Sequence, residues 1–426
     1  MFRARRFALL ALAACALLAP SASRADQVTF WNEAALDAIR ATSSNPPRAT
    51  RALAIAHVAI FDAVNGVHRR YEPYLVTKLA PQGASARAAA AGAAHKTLRK
   101  LFPAFRQELR QRYDDALSRL PDDAATRKGI KWGNRCAKRV LRARADDGAD
   151  DLVVYTPSGE LGAWQPTPPA FAPALLPQWP HVIPFAMTDG GQFRVDPPPP
   201  FDSPDYAEAY NEVKDYGDIA SAVRTADQTE IAFFWEDGAG TATPPGHWMT
   251  IAQQLADRFR SSLTENARLF ALLAITQADA AIVSWDNKYF YDHVRPYTAI
   301  TMEAHRDGNP ATRRDRHWFN LVPTPPFPTY TSGHSTFSGS SARILGHFYG
   351  TDEIAFSAPS PDPQRWPDVL PGVVRSWSSL SQAAEEAGQS RIYGGIHWQY
   401  DNTAGLDSGR ALADYVFESF LQPVSP

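Results

Sequence analysis

An all-α fold, one or more helical bundles joined by long proline-rich loops, is what this 426-residue sequence predicts. Apolar residues recur at helical spacing over most of the chain. No sustained period-two run and no alternation of strand and helix patterns accompanies them. Between about 155 and 205 the prolines crowd together, as in Gln165-Pro166-Thr167-Pro168-Pro169 and Pro197–Pro200, which denies that stretch helix interiors and central strands.

The elements follow in order. Residues 1–25 read as an export signal: Arg3, Arg5 and Arg6 are a positive start, Phe7–Leu18 an apolar stretch, and Ser23-Arg24-Ala25 a small-residue cleavage site. The expectation is a secreted or periplasmic protein whose mature chain begins near Asp26. Leu12-Ala13-Ala14-Cys15 fits a lipoprotein box, but the apolar run continues past it, so anchoring at Cys15 is the lesser reading. Cys136 is then the lone cysteine of the mature chain, and no internal disulfide is available. The signal takes four arginines and no acids with it, so the net charge of −2 becomes −6, which gives no reason to expect nucleic acid or an anionic membrane as partner. No later segment approaches about 20 uninterrupted apolar residues, so no spanning helix is expected.

Residues 26–426 read as a single mostly helical domain. Three to five helices fill 26–150, as Ala35-Leu36-Ile39 and Ala52-Leu53-Ala56-Ile60-Val64 indicate. An ordered proline-rich wrap covers 155–205, since Trp164, Phe171, Trp179 and Phe185 are too apolar for a free linker. Helical character returns over 203–220, 228–235 and 246–300; further helices fit 335–349, 377–387 and 402–420. A bundle over 265–420 carries the segments of chemical interest.

Three segments stand out there. In Lys288-Tyr-Phe-Tyr-Asp-His-Val-Arg295-Pro296 two cations are seven residues apart, so a helix would project both from one face, with Pro296 marking its end. In Pro325-Pro326-Phe327-Pro328-Thr329-Tyr330-Thr331-Ser332-Gly333-His334 a rigid entry leads to a Ser-Gly turn at a helix start. Free backbone N–H groups, a hydroxyl and a glycine make an anion site there, with His334 at its edge. In Arg391-Ile-Tyr-Gly-Gly-Ile-His397-Trp-Gln-Tyr-Asp401 the paired glycines let the chain bend between Arg391 and His397, and Asp401, four beyond His397, is in reach to orient it. Singly, each has a bland reading: a solvated helix face, an N-cap with a structural histidine, a histidine with a surface partner. Together they supply three cations, neutral donors and two histidines, which is what a tetrahedral oxyanion needs.

The order Lys-x6-Arg-Pro, Ser-Gly-His, Ser-Arg-x5-His-x3-Asp resembles the signature shared by vanadium-dependent haloperoxidases and type 2 phosphatidic acid phosphatases, over roughly a quarter of the chain. Thr331 stands where that pattern usually has proline. The resemblance implies a helical bundle holding orthovanadate, or phosphate in its place. Lys288, Arg295, Ser332, Gly333 and Arg391 would surround the equatorial oxygens, His397 would be the apical ligand to vanadium, and His334 the acid-base, with Lys288 also acting in catalysis.

The implied partners are hydrogen peroxide, a halide and a small organic acceptor. The alternative is an acid phosphatase acting on phosphate monoesters through a phosphohistidine at His397. Trp31–Leu36, Arg51–Val64, Phe234-Trp235 and Pro244–Trp248 are similar to haloperoxidase stretches and favour the first activity, though each could be ordinary packing. Phe327 lies where the pattern puts a side chain linked to halide preference, and resembles the chloroperoxidase type. Asp292, His293 and Tyr400 could support the site from behind. A non-catalytic oxyanion binder would not need His334, and a zinc site fits poorly beside so many cations. Halide choice, acceptor, oligomeric state and export route stay open.

Overall fold

The computed structural model describes residues 26–424, so the expected signal segment and Cys15 lie outside the described residues. The described chain is helical: α1 (Gln27–Ala41), α2 (Pro46–His68), α3 (Ala86–Leu101), α4 (Arg106–Ser118), α5 (Ala124–Ala143), α6 (Pro204–Gly217), α7 (Ala226–Phe234), α8 (Thr243–Phe259), α9 (Leu263–Tyr291), the short α10 (Pro296–Thr298), α11 (Gly333–Tyr349), α12 (Leu380–Tyr393) and α13 (Gln399–Ser419). Five helices thus occupy the N-terminal third. Side-chain caps start most of them: Asp26, Asn45, Ser85, Asp123, Ser203, Thr225, Ser262, Ser332 and Ser379 each accept a bond from a first-turn N–H.

Small residues set how closely the helices approach. A Cβ on Gly133 of α5 would lie 2.0 Å from the Ala89 carbonyl oxygen of α3, and one on Gly409 of α13 would lie 2.4 Å from the Thr336 carbonyl oxygen of α11. The α11–α13 contact matters for the site because Ser332 and His397 lie at the N-terminal ends of these two helices.

The proline-rich wrap is ordered because α9 supplies the bonds its own backbone lacks. Asp279, buried in mid-helix, accepts from the N–H groups of Phe185 (2.7 Å), Ala186 (2.7 Å) and Met187 (2.9 Å). Burial pushes its carboxyl up to about 6, against those three donors. Further along, Trp285 and Tyr289 both donate to the Leu175 carbonyl, at 3.1 and 2.7 Å. Asn287 accepts from Val195 N–H at 3.1 Å. The wrap follows one helix and leaves few of its polar groups unmet.

Several expectations need correction. The tract from 246 to 300 is broken: Arg260 adopts the left-handed conformation (φ 54°) and Ser262 with Glu265 forms a capping box that starts α9. α9 stops at Tyr291, with Asp292 left-handed (φ 49°), and Arg295 is extended as N-cap of α10. Lys288 and Arg295 therefore do not share a helix face. A two-stranded antiparallel hairpin, Phe356–Pro359 with Val374–Trp377, was not expected. α9 is long and apolar enough to cross a membrane by length and composition, although Thr276, Gln277 and Asp279 interrupt its apolar run, and its apolar window is wholly buried among other helices.

His57 in α2 is buried, faces Asn32 Oδ1 at 3.1 Å through Nε2, and stacks on Phe270 with centroids 5.3 Å apart. Burial alone lowers its pKa from 6.5 to about 3. Between those values the unfolded chain binds a proton that the folded chain refuses, so acidification through this window costs stability, by about 1.4 kcal/mol per pH unit from this group. Chemical denaturation between pH 7 and 4 should show a shallower loss in His57→Gln than in wild type. Separately, Gly133→Ala should lower the denaturation midpoint without changing its slope, for a loss of about 1–3 kcal/mol, because α3 and α5 must part.

Candidate active site: a buried cationic pocket

The three segments converge on one place. Lys288 comes from the last turn of α9, Arg295 from the extended link into α10, Ser332 and Gly333 from the start of α11, Arg391 from the last turn of α12, and His397 from the turn before α13. Lys288, Arg295 and Ser332 are fully buried, and Arg391 and His397 are 2% exposed. His334 is half-buried at the rim. A cavity of about 310 Å³ is lined by Gly333, His334, Arg391 and His397. Leu175, Trp285, Phe327 and Phe337 form one wall and Glu236, Asp237 and Arg365 another.

Backbone carbonyls hold the cations. Lys288 Nζ donates to the carbonyls of Thr329 (2.8 Å), Pro328 (3.2 Å) and Thr331. Arg295 donates from Nε to Phe327 O (2.9 Å) and from Nη1 to Ile396 O (2.7 Å), and Arg391 donates from Nη1 to Trp235 O (3.2 Å). The nearby carboxylates are engaged elsewhere: Asp401 with His397, Glu236 with Arg365, and Asp237 with His247.

Burial, then the charge of Arg295, pulls the Lys288 ammonium well below its ordinary range. Burial also pulls Arg295 and Arg391 down. Both histidines are held well below 6.5, by burial first and then by neighbouring cations. They are neutral imidazoles at neutral pH.

What these groups lack identifies what they suit. Arg295 Nη2, Arg391 Nε and His334 Nε2 are buried with no partner in the protein. Ser332 caps α11, so the N–H groups of Gly333 and His334 open that helix without intrahelical acceptors. A cluster of unspent donors beside three buried cationic side chains fits a compact oxyanion such as orthovanadate or phosphate. His397 presents its two nitrogens differently. Nδ1 lies 2.7 Å from Asp401 Oδ2, and Nε2 lies 3.2 Å from Arg295 Nη1.

Phe327 lines the cavity, its ring 4.8 Å from Trp285 and 5.0 Å from both Lys288 Nζ and the Arg295 guanidinium. His293 donates to or accepts from Tyr400 at 2.8 Å, and Asp292 accepts from Tyr155; neither lines the cavity. The Trp31–Leu36 and Arg51–Val64 stretches build helix packing, with Asn32 on His57 and Asp62 accepting from Tyr74, Leu75 and Val76. Phe234-Trp235 is different. Its carbonyl holds Arg391, and backbone bonds from Trp235 and Glu236 reach His334. Thr329 was also missed: it lies between Lys288 and Asp401.

A family model described as the VCPO second helical-bundle domain matches residues 268–426, which takes in every one of the clustered side chains from Lys288 to Asp401. The chain is 26% identical to the vanadium chloroperoxidase of Curvularia inaequalis over 91% of its own length and 81% of that protein's. A crystal structure described as the first bacterial vanadium-dependent iodoperoxidase superposes with a TM-score of 0.81 at 25% identity, covering 94% of this chain and 97% of that one. The holo form of a bacterial vanadium-dependent chloroperoxidase shares the fold, with a TM-score of 0.72 at 19% identity over 94% and 93%. The bundle, the pocket and these likenesses agree: the chain is similar to vanadium-dependent haloperoxidases, and its residues 268–426 match the VCPO second helical-bundle domain.

Proposed function

We propose that this protein is a vanadate-dependent haloperoxidase that oxidises a halide with hydrogen peroxide to a hypohalous species and water, the former halogenating a small organic acceptor. The observation that carries the reading is the cavity lined by Gly333, His334, Arg391 and His397, with Arg295 against His397, Lys288 against Phe327, and unpartnered donors on Arg295, Arg391 and His334. Similarity to chloroperoxidase and iodoperoxidase along nine-tenths of the chain supports the peroxidase activity over hydrolysis.

Lys288, Arg295, Arg391, Ser332 and Gly333 would hold the oxygens of vanadate, and His397 Nε2 would bond its central atom. When bound, vanadate supplies a Lewis acid that activates peroxide without changing oxidation state. Lys288, its Nζ fixed by three carbonyls, would polarise the peroxide oxygen, the bound oxyanion favouring the ammonium form that burial disfavours. His334 Nε2, neutral and unpartnered, takes and returns a proton at the rim. Phe327 and Trp285 keep the halide's path apolar, so water competes poorly there.

A phosphatase reading draws on the His397–Asp401 pair, which would equally serve a nucleophilic imidazole. Export through the N-terminal segment is part of the proposal, and mature protein beginning near Asp26 would support it.

The test pairs two assays on purified protein. Peroxide-dependent halogenation of a phenol dye, measured with chloride, bromide and iodide after orthovanadate loading, is the expected activity. His397→Ala should abolish it, and His334→Ala should lower it by about 10²–10⁴-fold. Efficient hydrolysis of a phosphate monoester, inhibited by vanadate and without halogenation, would overturn the reading.

A further inference from the structure

Thr329 is fully buried and all three of its polar groups are bonded, its carbonyl and hydroxyl to pocket residues. Its N–H donates to His293 O (3.0 Å) and its carbonyl accepts from Lys288 Nζ (2.8 Å). Its hydroxyl donates to Asp401 Oδ2 (2.5 Å) and lies 3.1 Å from His397 Nδ1. Asp401 Oδ2 also accepts from Trp398 N–H (3.2 Å) and faces His397 Nδ1 (2.7 Å).

The arrangement determines where the imidazole hydrogen sits. Beside Nδ1 are a carboxylate oxygen and the lone pairs of a hydroxyl whose proton is already given to that carboxylate; both are acceptors. Beside Nε2 is Arg295 Nη1, a donor that needs a lone pair to face. Only a ring carrying its hydrogen on Nδ1 satisfies both sides. The ring then turns the Nε2 lone pair toward the cations.

We propose that the Thr329 hydroxyl is a positioning group that clamps Asp401 against His397 and thereby selects vanadate over phosphate in this pocket. The inference rests on the vanadate reading above. Phosphate and vanadate have similar shape and charge, so Lys288, Arg295 and Arg391 hold both by the same ionic hydrogen bonds. They differ in that vanadium readily accepts a fifth ligand, whereas phosphorus does so only in passing during a reaction. A correctly turned Nε2 lone pair therefore benefits vanadate alone. Without the hydroxyl, Asp401 Oδ2 loses its shortest bond and the ring loses one of two acceptors that hold it.

Thr329→Val keeps the shape and both backbone bonds and removes only the hydroxyl, and Thr329→Ser keeps the hydroxyl. Dissociation constants are read by equilibrium dialysis of orthovanadate and, separately, of labelled inorganic phosphate. Thr329→Val should weaken vanadate about tenfold and phosphate less than about twofold, with Thr329→Ser within about threefold of wild type for both. Loss of the two anions in equal measure, or of neither, overturns the clamp. If Thr329→Val unfolds early, Thr329→Ala compared with Thr329→Ser carries the same test.

Nitrogen-15 spectra of labelled histidine in the anion-free protein give a second readout: hydrogen on Nδ1 of His397 in wild type and a mixture of tautomers in Thr329→Val is expected, and an unchanged signal overturns the proposal. The two readings fail separately. Selective vanadate binding without halogenation sinks the haloperoxidase activity, whereas halogenation by a protein that loses both anions equally in Thr329→Val sinks the clamp.

Discussion

Lys288, Arg295 and Arg391 repel one another, and each gives up hydration on burial, so the pocket is held together by attractions that come from elsewhere. Those attractions are carbonyl dipoles, to which the carboxylates of Asp401, Glu236 and Asp237 add. Pro328, Thr329, Thr331, Phe327, Ile396 and Trp235 turn their oxygens onto the three cations, and every one of them lies at a helix end or in irregular chain. Carbonyls in regular helix are spent on N–H groups four residues on, so only interrupted backbone could do this. Partial charges of this kind steady a cation without neutralising it. The pocket keeps its positive field and still folds.

Irregular chain needs a brace, and the long central helix supplies it. α9 carries Lys288 into the pocket, and the same helix offers Asp279, Trp285, Asn287 and Tyr289 to the wrap. Leu175 of the wrap donates its N–H to Pro326 O, so the wrap in turn supports the loop that holds Lys288. The close glycine contact of α13 on α11 brings the His397 end beside the Ser332 end. Scaffold and site are thus one set of contacts, and a change at the wrap is felt at the lysine.

Much of this could be read from the sequence, and the limits have physical causes. The helices were legible because a buried face repeats every three to four residues. The clustering of Lys288, Arg295, Ser332, Gly333, His334, Arg391 and His397 was legible because their chemistry has a single common need. The break near Arg260 was not, since no glycine or proline marks it, although Ser262 and Glu265 stood in plain view as a capping box. The hairpin at 356–377 uses strands of four residues, too short for a period to show. A proline after Arg295 signals a helix end in the sequence, whereas Pro296 opens the next turn and leaves Arg295 extended before it. Trp235 and Thr329 escaped for another reason. Trp235 acts through its carbonyl, which every residue possesses, and the Thr329 hydroxyl acquires meaning only once Asp401 and His397, some seventy residues on, are folded against it.

Asp279 also bears on the surroundings that α9 accepts. The helix that contains it is long and apolar enough to partition into lipid. An aspartate at the centre of such a segment costs about 2.5–3.5 kcal/mol in a bilayer, which disfavours lipid as its surroundings. In the folded protein the same carboxylate meets the N–H groups of Phe185, Ala186 and Met187. One residue thus makes the core helix a poor fit to lipid and ties down the wrap in the folded protein.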